Sequence, residues 1–100
     1  ALADLYHREG AWRVGQGERV FERWAAIRDA YATRWRPPAS FAWRDLDFEP
    51  LGEDAVAVVG RFEWGRGEGQ PPLVCSYTGL LVRQDGVMRI RLEDESCAPG

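Results

Sequence analysis

Apolar and polar residues alternate most clearly in the last third of the chain, where residues 73–96 read as a β-hairpin. A Gln84-Asp85-Gly86 turn between Arg83 and Val87 gives glycine the left-handed position of a three-residue loop. The register that follows opposes Val82 to Met88, Leu80 to Ile90, Thr78 to Leu92 and Ser76 to Asp94. A slip of one residue would set Val82 against Arg89 and Leu80 against Arg91, so the pattern rejects it. The face carrying these pairs is apolar near the turn and polar at its far end, where Ser76, Thr78, Asp94 and Ser96 converge. That gradient predicts a cavity holding the carboxylate of Asp94. Tyr77, Leu81, Val87, Arg89, Arg91, Glu93 and Glu95 fall on the other face, which suits a partner sheet or solvent.

Upstream, Leu2, Leu5 and Tyr6 recur at helical spacing over residues 2–9, and Gly10 is placed to cap that helix. A short strand over 11–14 leads into Gly15-Gln16-Gly17. Val20, Trp24, Ile27 and Tyr31 fall at i, i+4, i+7 and i+11, which predicts a long amphipathic helix closed by Pro37-Pro38. Residues 40–49 carry Phe41 and Trp43 on one parity but Leu46 and Phe48 on the other, a phase change that predicts a bulge near Arg44-Asp45. Residues 55–64 form a further strand with Val56, Val58, Phe62 and Trp64 on one face, interrupted at Gly60. Helices first and antiparallel strands after are an α+β pattern, a single domain over 1–100.

Composition narrows the function. Of 100 residues, 13 are basic and 16 acidic, giving a net charge of -3, so nucleic acid is not an expected partner. All the basic residues are Arg, which removes lysine as a base or Schiff-base nucleophile. No apolar run approaches the roughly 20 residues of a membrane span. In the hairpin register Cys75 faces Glu95, leaving Cys97 a diagonal neighbour about 7–8 Å away. That exceeds the roughly 3.5–4.5 Å between the Cβ atoms of a disulfide. Free thiols and a cytoplasmic location are therefore expected. With one histidine and no ligand-spaced cysteines, no metal site or cofactor is expected.

Several segments together resemble the nuclear transport factor 2-like superfamily and, within it, the SnoaL-like group. They are Leu5-Tyr6, the run 26–31 of the long helix, residues 54–62, residues 76–86, and Met88-Arg89-Ile90 through Ser96. The resemblance implies a cone-shaped, curved antiparallel sheet with a long helix over its concave face. It also implies an N-terminal capping helix that nothing in this chain supplies. Ketosteroid isomerase chemistry would need acids near Val14 or Gly15 and near Thr78, where none stands. The polyketide cyclase branch uses an acid on the final strand, where Asp94 stands.

Asp94 is thus the candidate general acid/base, since burial in an apolar cavity raises a carboxyl pKa toward neutrality. Ser76 and Thr78 would orient a ligand, and Tyr31, Trp12, Phe62 and Trp64 would wall the pocket. Equally open is an Asp94 that caps backbone amides or pairs with an Arg at the strand end. His7 is read as solvated or at the cavity rim. The expected function is binding of a small apolar organic molecule, with cofactor-free isomerisation, cyclisation or dehydration if the chain is catalytic. The alternative is a non-catalytic dimerisation or ligand-binding module with a vestigial pocket. A homodimer through the outer sheet face accompanies either reading.

Overall fold

The computed structural model describes residues 2–99. Six strands form one curved sheet, named in chain order β1 (Ala11–Gly15), β2 (Glu18–Glu22), β3 (Ser40–Pro50), β4 (Ala55–Gly65), β5 (Leu73–Gln84) and β6 (Val87–Pro99). Their order across the sheet is β2-β1-β6-β5-β4-β3, with β1 and β6 parallel and every other pair antiparallel. One helix, α1 (Trp24–Thr33), and a 3₁₀ turn over Leu2–Leu5 cover the concave side. This is the expected α+β architecture. Among the described residues, no helix is long and apolar enough to cross a membrane.

Both helical predictions overshoot. Residues 2–9 make only the 3₁₀ turn, after which Tyr6 forms a parallel bridge to Ile90. Residues 18–22 are a strand and not the first turns of the long helix. Gln16 and Gly17 both have positive φ, 52° and 83°, as the two central positions of a type I′ hairpin turn require. That turn folds Glu-Arg-Val-Phe-Glu back along β1, pairing Trp12 with Phe21 and Arg13 with Val20. Local turn chemistry overrides the helical stripe, and α1 begins only at Trp24.

Ile27 of α1 is fully buried against Tyr6 and Ala11, with Trp24, Tyr31 and Ile90 packed around them. The Trp24 indole N–H donates to the Ala3 carbonyl at 2.9 Å, which ties the helix to the N-terminal turn. The core therefore gathers on the β1–β6 half of the sheet. On the β3–β4 half Val58 and Phe62 are buried, while Phe41, Trp43, Leu46 and Phe48 of β3 stand exposed along an open hollow.

Two bulges set the faces of the sheet. On β3 the register shifts between Trp43 and Asp45, as predicted, so Phe41, Trp43, Leu46 and Phe48 share the concave face despite their mixed parity. A Cβ on Gly60 would come within 2.7 Å of the Asp45 carbonyl, so glycine lets the bulged strand approach. The second bulge, on β6, changes the outcome. The hairpin turn has two residues, Asp85 and Gly86, with Gln84 opposite Val87 and Leu81 opposite Ile90. Arg91 is then the extra residue, because the next pair is Leu80 with Leu92.

Past the bulge Gly79 opposes Glu93, Thr78 opposes Asp94 and Tyr77 opposes Glu95. Cys75 meets Cys97 directly, and a disulfide joins them. The predicted register and the free thiols are both corrected: the two-residue turn sets Val82 against Arg89, the slip that the apolar pattern rejected, and the unpaired Arg91 shifts the later pairs by one more. A 22-residue separation between the cysteines makes the crosslink worth about 3 kcal/mol through the unfolded chain. The Cys75→Ser/Cys97→Ser double variant should lose that amount in urea unfolding. Reductant should lower the wild type to the same midpoint and leave the double variant unmoved.

Candidate functional site

Strand parity decides what the concave face carries. From β4 it takes Val58, Phe62 and Trp64, from β5 Tyr77 and Leu81, and from β6 Met88, Ile90, Glu93 and Glu95. Arg13 joins them from β1, where it pairs in parallel with Glu93. Between this face and α1 lies a cavity of about 880 Å³. Ala30, Tyr31, Arg34 and Trp35 close it from the helix side. Phe41, Trp43, Leu46 and Phe48 wall it from β3, and this side stands open, with Phe48 61% exposed.

The ring wall is continuous. Phe41 and Phe62 lie 5.0 Å apart between centroids, Trp43 and Phe62 5.3 Å, and Trp43 and Tyr77 5.9 Å. The last two pairs are edge-on, the arrangement that the ring quadrupoles favour.

At the deep end sits Glu93, 6% exposed and the one buried charged residue among those described. A buried carboxylate is tolerable only when its oxygens are satisfied. Here the Tyr6 hydroxyl donates to Oε1 at 2.6 Å, the Tyr77 hydroxyl to Oε2 at 2.8 Å, and Arg13 Nε lies 2.8 Å from Oε1. Tyr31 extends the chain, its hydroxyl 2.9 Å from that of Tyr6. Burial raises the Tyr6 and Tyr77 pKa values far above the ordinary phenol range, and the Glu93 charge adds to the rise. Burial raises Tyr31 as well.

Gly79 makes the arrangement fit. It opposes Glu93, and a Cβ there would lie 3.0 Å from two atoms of the Tyr77 side chain. The ring occupies the space that a side chain would take, which brings its hydroxyl to the carboxylate.

Glu95, two residues along on the same face, differs in kind: it is exposed, where Glu93 is buried. Its carboxylate makes no hydrogen bond or ion pair among the described residues, and it borders both the main cavity and a smaller one of about 270 Å³ beside Arg13 and Glu18. Desolvation raises its pKa, the neighbouring Glu93 charge raises it further, and Arg13 partly offsets both.

Of the residues expected at the site, Tyr31, Phe62 and Trp64 line the cavity. Asp94, Ser76, Thr78 and Trp12 do not. Asp94 lies between Val14 and Thr78 on the convex face, because the Arg91 bulge turns its neighbours Glu93 and Glu95 inward in its place. Ser76 and Thr78 are exposed on the same outer face. Trp12 stacks edge-on with Phe21 there, 5.4 Å between centroids. His7 accepts from the Glu9 amide and approaches Arg91, away from the cavity lining. Glu93, Glu95, Arg13 and Tyr77 are the residues that sequence reasoning missed. The available signal was Glu-x-Glu beside a cysteine pair, readable only if Cys75 and Cys97 were set opposite each other. Among the described residues no cluster of His, Cys, Asp and Glu could hold a metal ion.

A curved sheet with a helix over its hollow defines the nuclear transport factor 2-like fold, and the likenesses to solved structures agree. A protein of this fold of unknown function from Shewanella oneidensis superposes with a TM-score of 0.70 at 21% identity, covering 94% of this chain and 78% of that one. A ketosteroid isomerase, so described without proof of activity, from Parabacteroides distasonis gives 0.76 at 11%, covering 96% and 72%. A type 2 hexachlorocyclohexane dehydrochlorinase gives 0.68 at 18%, covering 99% and 73%. At these identities the likeness is one of fold. No family model matches the chain, and no curated protein matches it in sequence.

Replacing Tyr6 by Phe removes a donor from the Glu93 carboxylate and the acceptor of the Tyr31 hydroxyl at once. A hydrogen bond to a charged group contributes about 1.5–3 kcal/mol, so Tyr6→Phe should lose at least that much in denaturant unfolding. Phe at the partly buried position Tyr31 should cost less, because it leaves Glu93 fully bonded.

Proposed function

We propose that the chain binds a small, largely apolar organic molecule in the cavity and moves a proton on it with Glu95. The observation that carries this reading is a carboxylate without a hydrogen-bond partner, set in an aromatic hollow beside a second, fully bonded carboxylate. Two acids in unlike environments take unlike roles. Glu93, locked by two phenols and Arg13, holds the polar end in place. Glu95, exposed at the cavity wall and with its pKa raised by desolvation and by the Glu93 charge, takes and returns the proton. An acid on the final strand is what the SnoaL-like resemblance implies, with Glu95 replacing Asp94 in that part. No cofactor enters this chemistry, which is a proton shift such as isomerisation or elimination.

The neutral dye N-phenyl-1-naphthylamine should bind with one-to-one stoichiometry. Ala30→Trp, which fills the hollow from the helix, should weaken that binding about tenfold or more while the circular dichroism spectrum is retained. For the proton step, hydrogen–deuterium exchange at the α-carbons of β-tetralone, followed by NMR, should be accelerated by the wild type. It should fall about 100-fold or more in Glu95→Gln. Dye binding with exchange that ignores Glu95 would leave a binding module and end the catalytic reading.

We place a two-fold partner on the convex face. Trp12, Phe21 and Val59 are exposed there at 37%, 38% and 51%, and Leu80 and Leu92 lie partly exposed between them. Such an apolar patch on an outer face suits a second copy of the chain. Val59→Arg should convert a dimer to a monomer in sedimentation equilibrium, and a wild type that sediments as a monomer would refute the assignment. The disulfide favours a compartment that keeps thiols oxidised over the cytoplasm expected from free cysteines.

A further inference from the structure

The direction of each hydrogen bond at the deep end determines what a ligand meets there. The Tyr6 hydroxyl has one proton and gives it to Glu93. Its oxygen therefore accepts from Tyr31, which spends the Tyr31 proton as well. The Tyr77 proton goes to the other Glu93 oxygen. Arg13 Nε is held by Glu93, and its Nη1 lies 3.4 Å from Glu22. What remains at the cavity wall is the lone pairs on Tyr31 and Tyr77 and the carboxylate of Glu95, beside the Arg13 guanidinium, whose other N–H groups are taken up by neither Glu93 nor Glu22.

Glu93 and Glu95 against Arg13 leave one negative charge at this end. Desolvation is what mainly raises the pKa values of Tyr6, Tyr31, Tyr77 and Glu95, and the Glu93 charge adds to each. Tyr77 is the cross-strand partner of Glu95, and Trp43 lies 5.9 Å from Tyr77 between ring centroids. Aromatic faces next to an unpaired carboxylate attract a desolvated cation.

We propose that the cavity takes a cationic ligand, an ammonium or protonated amine on an apolar body, with its charge held between Glu95 and the rings of Tyr77 and Trp43. This rests on the cavity reading above and names the substrate class for it. It also fits the proton step. A carboxylate base acts readily on a substrate that already carries positive charge, because that charge acidifies the N–H or the adjacent C–H. When Glu95 takes a proton from the cation's N–H, or from a C–H beside an iminium nitrogen, the bonding pair stays on the substrate. The cation is thereby neutralised, and the proton resides on Glu95. Arg13 beside Glu95 and Arg34 at the mouth are the groups that would instead favour an anion.

Three probes of one shape separate these cases by titration calorimetry: meta-hydroxyphenyl-trimethylammonium, its uncharged isostere meta-tert-butylphenol, and meta-hydroxybenzoate. The ammonium should bind about tenfold or more tighter than the isostere. Glu95→Gln should erase that advantage while retaining the isostere's affinity, which also shows that the variant folds. Groups facing Glu95 are Arg13, Glu18, Glu93, Tyr77, Tyr31 and, at the mouth, Arg34. Of these, Glu95 is the carboxylate whose pKa is raised, so the ammonium's advantage should fade as pH drops through a midpoint above that of an ordinary glutamate. Equal binding of ammonium and isostere, or tightest binding of the benzoate, overturns the cation assignment and leaves the cavity reading standing. No binding of any probe or of the neutral dye overturns both.

Discussion

One unpaired residue on the last strand, Arg91, governs the chemistry of this fold. Side chains on a strand alternate with a period of two, so a single insertion exchanges every later residue between faces. Before the bulge Met88 and Ile90 look into the hollow. After it Glu93 and Glu95 do, and Cys97 comes opposite Cys75. Arg91 itself is anchored at the junction, with Nη1 donating to the Gly10 carbonyl at 2.8 Å and its guanidinium 5.2 Å from the Phe21 ring centroid. Those contacts hold the bulge against β1 and β2, so the position of the acids depends on the N-terminal hairpin as much as on β6.

The buried carboxylate Glu93 shows the cost side of such a site. An ionised group taken out of water loses several kcal/mol of solvation. Two phenols and a guanidinium return that stabilisation only because β1, β5 and Tyr6, just past the 3₁₀ turn, converge on it. Gly79 contributes by having no side chain, and Tyr77 uses the vacated space. Glu95 makes no such bonds and keeps its conformational and protonic freedom. The division between a fixed acid and a free one follows from packing, since both are the same residue type two positions apart.

Much of the fold was legible from local pattern. The β3 bulge could be read from the clash of parity between Phe41–Trp43 and Leu46–Phe48, and the close approach at Gly60 from the gap in its apolar face. The strand boundaries of β3, β4 and β5 followed from turn residues. The first half was harder, because Val20, Trp24, Ile27 and Tyr31 satisfy a helical period while Gln16-Gly17 demands a hairpin. There, backbone geometry at two positive-φ residues outweighs a side-chain stripe. Tyr31, Phe62 and Trp64 were found because aromatic walls are conspicuous. The acids were not, because a bulge at Arg91 leaves no compositional trace of its own. An arginine in a strand of alternating apolar and charged residues looks regular. The face of β5 was misassigned for a separate reason, the two-residue turn that sets Leu81 and Arg83, not Leu80 and Val82, against Ile90 and Met88; Ser76, Thr78 and Leu80 form as plausible an inner row as Tyr77, Gly79 and Leu81.

The five tryptophans are divided unevenly by this architecture. Trp35, Trp43 and Trp64 border the hollow, whereas Trp24 is tied to the Ala3 carbonyl and Trp12 rides on the convex side. Indole emission responds to the polarity around the ring, and three of the five sit where an occupant would displace water. The molecule therefore carries its own optical gauge of occupancy, with two further indoles as an internal reference, and needs no label to report when something has entered.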